Sequence, residues 1–218
     1  MYIAPADATL GEAEWRPFVE AHSFGHLVAG GRDRDVPVVV PTQFLLEGDT
    51  VRLHLVRTNP LFSAVAENPR VLLSVAGDWA FIPSAWKATG DEDPALGIPT
   101  TYYAAVQLTG TATVHDERHA PGSVAAVLRR QLHALQPDLA IADPALAHPR
   151  EIQSILGLSI AVDSVSAKFK YGGNVDEAHR LAVVDHLQAR QGPGDASAAG
   201  RVLRRLVPPA PDPADRPT

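Results

Sequence analysis

Nine histidines and no cysteine make imidazole chemistry the first candidate in this 218-residue chain. His22 and His26, and likewise His115 and His119, have the spacing of two metal ligands on one helical turn. The first pair flanks Ser23-Phe24-Gly25, a helix-to-strand junction, and the second lies where a strand gives way to a polar turn. We therefore expect solvated or capping histidines at both places rather than a metal site.

The densest run of unusual residues is Leu53-His54-Leu55-Val56-Arg57-Thr58-Asn59-Pro60. A strand ends here and a helix starts, so backbone N–H groups beside Arg57 could hold a phosphate or a carboxylate. Asn59 could instead merely cap the helix, with Arg57 in solvent. His54 alternates with two leucines and should face the opposite side of the strand. A lone strand histidine of this kind is more often structural than a ligand.

A second cluster is aromatic. Trp79, Phe81 and Trp86 lie within eight residues and could form the wall of a planar cofactor site. Ordinary core packing would use the same residue types, so both interpretations remain open. Lys87 follows this cluster directly.

Lysine is scarce, and each lysine lies in a segment of interest. Besides Lys87, the chain has only Lys168 and Lys170, at the end of the last predicted strand. The segment Pro99-Thr100-Thr101-Tyr102-Tyr103 brings hydroxyl groups to the start of another strand. Together with the two clusters above, these segments contain the candidate functional residues of the chain.

The elements that must position these residues are mainly strands. Val- and Leu-rich runs separated by Gly, Asp and Pro are typical of hairpin-linked strands. They cover His26–Ala29, Val36–Leu46, Val51–Val56, Val71–Ala76, Trp79–Ile82, Tyr102–His115 and Leu158–Lys170. Pro37 and Pro41 predict an edge strand or a bulge, and Glu47-Gly48-Asp49 predicts a tight turn.

Helices interrupt the strands. The first starts at or after Thr9 and contains Pro17, and a short one is capped by Asn59. Pro121 opens a helix whose stripe is Val124, Val127, Leu128, Gln131, Leu132 and Leu135. Asp138–Arg150 is predicted as a loop and Ile152–Leu156 as a short helix ended by Gly157. A last helix runs from Asn174, with Glu177 at the capping-box position, to about Arg190.

This order of elements predicts an α+β fold with a mainly antiparallel sheet or barrel, because no regular βαβ alternation and no glycine-rich phosphate loop is present. We expect one domain over residues 1–190 and a Pro/Arg-rich tail over 191–218. Ala196–Leu206 could be helical in that tail, and Val207–Thr218 should be disordered.

Composition excludes several functions. Without cysteine the chain forms no disulfide, thiolate zinc site or iron–sulfur cluster, and its only methionine is Met1. The formal net charge of −6 argues against nucleic-acid binding through bulk positive charge. No apolar run is long enough to span a membrane, and no secretory signal is present, so we expect a cytoplasmic protein.

In this order, the clusters resemble the PaiB-type FMN-binding split-barrel family, often labelled negative transcriptional regulators. His54 through Pro60 is similar to the family's His-x-x-Arg-x-Asn-Pro, and Ala80-Phe81-Ile82-Pro83-Ser84 with Trp86 to its aromatic-Ile-Ser-Pro segment. The remaining matches are Ser23-Phe24-Gly25, Leu27-Val28, Pro41, Phe44-Leu45, Pro99-Thr100, Tyr103 and Lys168-Phe169-Lys170. The resemblance covers about residues 1–190.

The resemblance implies a split β-barrel and a homodimer with the cofactor at the subunit interface. The chain also departs from the family pattern. Leu61-Phe62-Ser63 stands where the family has Gln-Trp and a basic residue, so a charge expected near the flavin phosphate is missing. Burying a phosphate without such partners is costly.

Some proteins of this fold family carry haem b instead, among them the piperazate synthases. They form an N–N bond in an N-hydroxylated ornithine with loss of water. That resemblance implies His54 as the axial haem ligand, Arg57 as a propionate partner, and Lys87 or Lys168 as the catalytic acid–base group near a small-molecule substrate. The cofactor-binding residues implied in either case are His54, Arg57, Thr58, Asn59, Trp79, Phe81, Trp86, Thr100, Tyr103 and Lys170.

Three functions thus stay open. The first is a haem-dependent, redox-neutral enzyme that forms an N–N bond by dehydrative cyclisation, and the second is an FMN-dependent oxidoreductase or flavin reductase. The third is a PaiB-like regulator, against which the acidic net charge and the lack of a basic helix pair both argue.

Overall fold

The computed structural model describes residues 1–89, 91–116 and 123–206. Its strands are β1 Phe24–Ala29, β2 Val38–Gln43, β3 Leu45–Glu47, β4 Thr50–Val56, β5 Arg70–Ile82, β6 Thr100–His115 and β7 Ile155–Lys170. Its α-helices are α1 Glu12–Ala21, α2 Leu61–Glu67, α3 Val124–Leu135, α4 Pro144–Ala147, α5 Pro149–Gln153, α6 Glu177–Arg190 and α7 Asp195–Arg204. Short 3₁₀ turns cover Pro5–Asp7, Ser84–Lys87 and Pro94–Leu96.

The strands form one seven-stranded sheet in the order β2-β1-β5-β6-β7-β4-β3. β1 pairs antiparallel with β2 and β5, and β4 pairs antiparallel with β3 and β7. The prediction of a mainly antiparallel α+β fold is confirmed. Pro41 lies in β2, which ends the strand order and pairs with β1 on one side, the kind of edge position where proline is tolerated.

The predicted turn at Glu47-Gly48-Asp49 links β3 to β4. Gly48 has a φ of +56°, a left-handed conformation that glycine adopts without steric cost. In β4, Val51, Leu53 and Leu55 are buried while the alternate residues are not. His54 therefore lies on the face opposite the leucines, as the period of two predicts.

Several element boundaries differ from the sequence predictions. The runs Val71–Ala76 and Trp79–Ile82 form one continuous strand, β5, because the intervening Gly-Asp pair stays extended. The run Val36–Leu46 is divided between β2 and β3. These predictions were wrong because local composition does not show whether backbone pairing continues through a polar residue or stops there.

The segment before β7 also differs. The predicted loop Asp138–Arg150 contains α4 and the start of α5, and α5 ends at Gln153 rather than running to Leu156. Gly157 does not end a helix. It lies in β7, paired with His54 of β4, where strand pairing outweighs the short helical pattern.

Helix starts shift by a few residues. Asp176, not Asn174, is the N-cap of α6, and its carboxylate accepts the His179 N–H. Ser123 caps α3, and the predicted opening residue Pro121 lies outside the described residues. α7 confirms the predicted tail helix, whereas Val207–Thr218 lies outside the described residues.

The chain divides into two compact units. We call Met1–Trp15, Ala76–Ala105 and the chain from Ala167 onward the terminal unit, and Arg16–Val75 with Val106–Ser166 the internal unit. α7 packs on α6 and buries Val202, so the described part of the predicted tail belongs to the terminal unit. Across the described residues, no helix combines the length and apolar character needed to cross a membrane.

Candidate functional site

His54 is held by a buried glutamine. Its Nδ1 lies 2.5 Å from Oε1 of Gln131, and the Gln131 Nε2 donates to the backbone carbonyl of Gln43 at 3.4 Å. The second bond fixes which end of the amide faces the imidazole. Nδ1 therefore carries the hydrogen and donates to Oε1. The imidazole Nε2 has no hydrogen-bond partner among the described residues.

This pair lines a cavity of about 390 Å³ in the internal unit. The cavity size falls in the range of small-molecule and cofactor sites. Apolar side chains from α3, β1 and β2 surround His54 and Gln131. The lining residues are Phe24, Pro41, Thr42, Gln43, His54, Leu128, Gln131, Leu132 and Leu135.

Arg57, three residues further along, is engaged elsewhere. Its guanidinium donates to both carboxylate oxygens of Asp116, at 2.9 and 2.6 Å, and to the carbonyl of Gln153 at 3.0 Å. The hydrogen bond with Asp116 raises the Arg57 pKa above its usual value. Arg57 would have to give up part of this pairing to hold a phosphate or a propionate.

Asn59 and Thr58 form the turn between β4 and α2. The Asn59 Oδ1 accepts the Leu61 N–H at 2.9 Å, as in an Asx turn, but the N-cap of α2 is Pro60, so the prediction that Asn59 is the N-cap is wrong by one residue. Thr58 is exposed.

In the terminal unit, Trp79 and Phe81 lie on the solvent-facing side of β5, with exposed fractions of 64% and 48%. With Arg190 they line a cavity of about 480 Å³. The backbone at Gly194 approaches the Trp79 carbonyl so closely that a Cβ would collide with it. Only glycine fits there.

Trp86 belongs to a stack rather than to that cavity. Its ring is 5.1 Å from the ring of His186, and the Arg190 guanidinium lies 4.4 Å from its centroid. Arg190 also binds Asp195, which is 1% exposed, and donates to the Phe81 carbonyl at 3.0 Å. These contacts fix the position of Arg190 beside the cavity that Trp79 and Phe81 line.

Lys87 lines a third cavity, of about 370 Å³, with Glu92 and His179. Partial burial and the nearby charge of Lys170 lower the Lys87 pKa from its usual value. In the part of the chain that the structure describes, neither lysine forms an ion pair. A partly desolvated lysine of this kind is suited to proton transfer.

Lys168 has a different environment. Its Nζ lies 3.6 Å from the Asp7 carboxylate, donates to the Tyr2 carbonyl at 3.3 Å, and lies 5.7 Å from the Tyr103 ring centroid. The side chains of Lys168 and Asp7 are each only 11% exposed. Lys168 is therefore a buried, paired cation that ties the N-terminal segment to β7.

The structure divides the predicted site residues between the two units. His54, Arg57, Thr58 and Asn59 belong to the internal unit. The others belong to the terminal unit, with Thr100 at the start of β6: they are Trp79, Phe81, Trp86, Lys87, Thr100, Tyr103, Lys168 and Lys170.

Sequence reasoning missed three residues that the structure places beside the predicted ones, namely Gln131, His179 and Arg190. Gln131 gave a signal, because it is the one polar residue in the apolar stripe of α3. The carboxylates of Asp176 and Glu92 accept hydrogen bonds from the His179 ring nitrogens, at 2.7 and 3.1 Å. Asp176 is only three residues from His179, but nothing local to His179 indicates Glu92, and nothing local to Arg190 indicates its place in the Trp79–Phe81 cavity.

The two histidine pairs have ordinary contacts. The ring of His22 stacks on Phe18 at 4.3 Å, and His115 bonds Ser159 at 2.7 Å. His119 lies outside the described residues. Within residues 1–89, 91–116 and 123–206, no group of three or more His, Asp or Glu side chains is arranged to hold a metal ion.

The antiparallel sheet, its order and its surrounding helices define a split-barrel protein of the FMN-binding and pyridoxamine-phosphate-oxidase type. Two solved structures share this fold, each with a TM-score of 0.58. The FAD and Heme binding protein from Mycobacterium smegmatis is 19% identical, with 81% of this chain and 79% of that chain covered. The flavocytochrome Anf3 from Azotobacter vinelandii is 21% identical, with 96% and 86% covered.

Within that class, the chain belongs to the PaiB-type FMN-binding family. Residues 1–164 match the family model described as "Putative FMN-binding domain". The Protease synthase and sporulation protein PAI 2 of Bacillus subtilis (strain 168) is 24% identical over 196 residues, which are 88% of this chain and 92% of that protein. The resemblance stated from the sequence motifs is thereby confirmed.

Proposed function

We propose that this protein binds haem in the internal unit, with His54 as the residue that would ligate the iron. The observation that carries the proposal is the His54–Gln131 hydrogen bond. Metal-ligating histidines almost always donate their other ring N–H to a carboxylate, carbonyl or water. Here Gln131 takes that hydrogen at Nδ1 and leaves Nε2 for iron.

The donor set fits haem. With no cysteine and no internal methionine, iron ligation falls to histidine, tyrosine or lysine, and His54 lines an apolar cavity. The porphyrin is a flat apolar ring, for which leucine, proline and phenylalanine side chains are suitable neighbours. Two proteins that share the fold carry haem or cytochrome in their names, which adds support.

The reaction we propose is redox-neutral N–N bond formation in an N-hydroxylated amino acid such as N5-hydroxyornithine. The α-amino nitrogen bonds to N5, the N–O bond breaks, and the oxygen leaves as water, so atoms and electrons balance. When bound, haem iron would supply a Lewis acid for the departing oxygen. The support is the PaiB-type resemblance, which the piperazate synthases share, together with Ser63 at the position where the family has a basic residue.

Of the two candidate acid–base lysines, Lys87 alone keeps that prediction, and it lines the cavity with Glu92 and His179 in the terminal unit rather than the His54 cavity. Lys168 is buried against Asp7 and holds a structural position. Lys87 lines a cavity, and its lowered pKa brings it nearer to the range in which a lysine can both accept and donate a proton.

The test is the absorption spectrum of the protein purified from cells supplied with haem precursor. We expect a Soret band in stoichiometric amount, and loss of water from N5-hydroxyornithine by mass spectrometry. No Soret band overturns haem binding. A Soret band without cyclised product supports haem binding but overturns the proposed cyclisation.

FMN binding is the second candidate. The family is defined by it, and the Trp79–Phe81 cavity offers an exposed aromatic wall for a flat ring. Titration of FMN into the protein, followed by quenching of flavin fluorescence, tests this candidate. Saturable quenching at micromolar protein supports it, and unchanged fluorescence removes it.

A further inference from the structure

We infer that Gln131 is the positioning residue of the cofactor site, which fixes the tautomer and the ring orientation of His54. This inference rests on the proposed function, because it concerns how His54 presents Nε2 to iron. Gln131 lies on α3, 77 residues from His54 in sequence, and neither family motif nor spacing pairs the two.

The burial of Gln131 is the first argument. Only 3% of the residue is exposed, in the interior of an otherwise apolar helix stripe. A buried amide costs free energy unless its donor and acceptor are both satisfied. Gln131 satisfies its oxygen with His54 and one N–H with the Gln43 carbonyl. A residue that served only packing would be leucine here, like its neighbours Leu128 and Leu132.

The direction of the bonds is the second argument. Because the Gln43 carbonyl can only accept, the Gln131 amide must point its NH₂ group that way and its oxygen toward the imidazole. An oxygen accepts only from a protonated ring nitrogen, so His54 is held in the Nδ1–H form. In the neutral ring, the lone pair then lies on Nε2, where it can bind a ligand.

The ring is also fixed in orientation. A 2.5 Å contact to a side chain that is itself bonded at its other end removes rotation about the His54 side chain. An axial ligand that is oriented before the cofactor arrives loses less conformational entropy on binding. In other metal sites, removing a residue that hydrogen-bonds a ligating histidine typically lowers metal affinity by about 10- to 100-fold.

The experiment compares Gln131→Leu and Gln131→Glu with Gln188→Leu, an exposed glutamine of α6, as the matched control. The first readout needs no cofactor. Long-range ¹H–¹⁵N correlation spectra of the histidine-labelled apoprotein report the His54 tautomer. We expect the Nδ1–H form in the wild-type protein and the control, a loss of that preference in Gln131→Leu, and its rescue in Gln131→Glu.

The second readout is haem affinity from Soret titration. We expect Gln131→Leu to bind haem about 10- to 100-fold more weakly than the wild-type protein, with Gln188→Leu unchanged. Circular dichroism and thermal unfolding of the apoproteins separate this effect from misfolding.

The outcomes distinguish the role of Gln131 from the proposed haem binding. A wild-type His54 in the Nε2–H form overturns the inference, as does haem affinity in a folded Gln131→Leu variant equal to that of the wild-type protein. A wild-type protein that binds no haem, with His54 in the expected tautomer, overturns the proposed function instead.

Discussion

Arg57 and Asp116 meet through two parallel N–H···O hydrogen bonds, of 2.9 and 2.6 Å, across 59 residues of sequence. The family motif places an arginine beside the end of β4, where the sequence suggests an anion site. The structure gives that arginine a carboxylate partner. The positive charge of Arg57, which was expected to bind an anionic ligand, is therefore already compensated by the Asp116 carboxylate.

Asp116→Asn tests what this pairing does. If FMN binds with its phosphate at Arg57, and not at the Trp79–Phe81 cavity, removing the competing carboxylate should tighten FMN binding by about two- to five-fold, the range of an exposed ion pair. Fluorescence quenching measures the change. Asp163→Asn is the control, because Asp163 pairs with Arg70 in the same bidentate way. Equal FMN affinity in the wild-type protein and both variants would show that Arg57 does not contact the phosphate.

His54→Gln should abolish haem binding while the protein stays folded. Glutamine keeps a polar side chain of similar size in the cavity but supplies no imidazole nitrogen to iron. We expect the Soret band to disappear, because no other described residue that lines this cavity has an imidazole. His133→Gln, at an exposed position of α3, should bind haem as the wild-type protein does. A retained Soret band in His54→Gln would assign the ligand to another residue.

Lys168→Met should destabilise the fold. Removing one partner of a buried ion pair leaves the Asp7 carboxylate uncompensated, which typically costs about 3 kcal/mol. Urea unfolding measures the loss. The double variant Asp7→Asn/Lys168→Met should recover most of it, and Lys170→Met, which breaks no ion pair among the described residues, should change stability by less than about 1 kcal/mol. A neutral Lys168→Met would argue that Lys168 is a functional rather than a structural lysine.

The His179 cluster should make stability depend on pH. Hydrogen bonding to Asp176, and then to Glu92, raises the His179 pKa. Protonated His179 therefore stabilises the fold fully below its unfolded-state pKa of about 6.5, and this contribution is lost as the pH rises through the folded-state value.

The carboxylates act in the opposite direction. Hydrogen bonds from the Thr89 N–H and from His179 lower the Glu92 pKa, and those from the His179 N–H and imidazole lower the Asp176 pKa. Their contribution is present above their unfolded-state pKa values of about 4 and is lost on further acidification. The difference in thermal midpoint between the wild-type protein and His179→Gln should thus be largest between these limits. A difference that does not vary with pH would contradict this assignment.

Part of the candidate site could be predicted from the sequence. Strict alternation in Val51–Val56 placed His54 on the face opposite the leucines, and Asn59 hydrogen-bonds the start of α2 from one residue before the N-cap Pro60. Lys87 and Lys168 were equivalent candidates in the sequence. Only their surroundings separate them, since Asp7 neutralises one and Lys170 repels the other.

The sequence by itself determined the antiparallel class, the family and the face of β4 on which His54 lies, because these follow from short-range periodicity and contiguous motifs. The tertiary structure decided the partners: Gln131 for His54, Asp116 for Arg57 and Glu92 for His179. Those partners are 77, 59 and 87 residues apart. The sheet register and helix packing bring them together, and both depend on the whole folded chain rather than on any local preference.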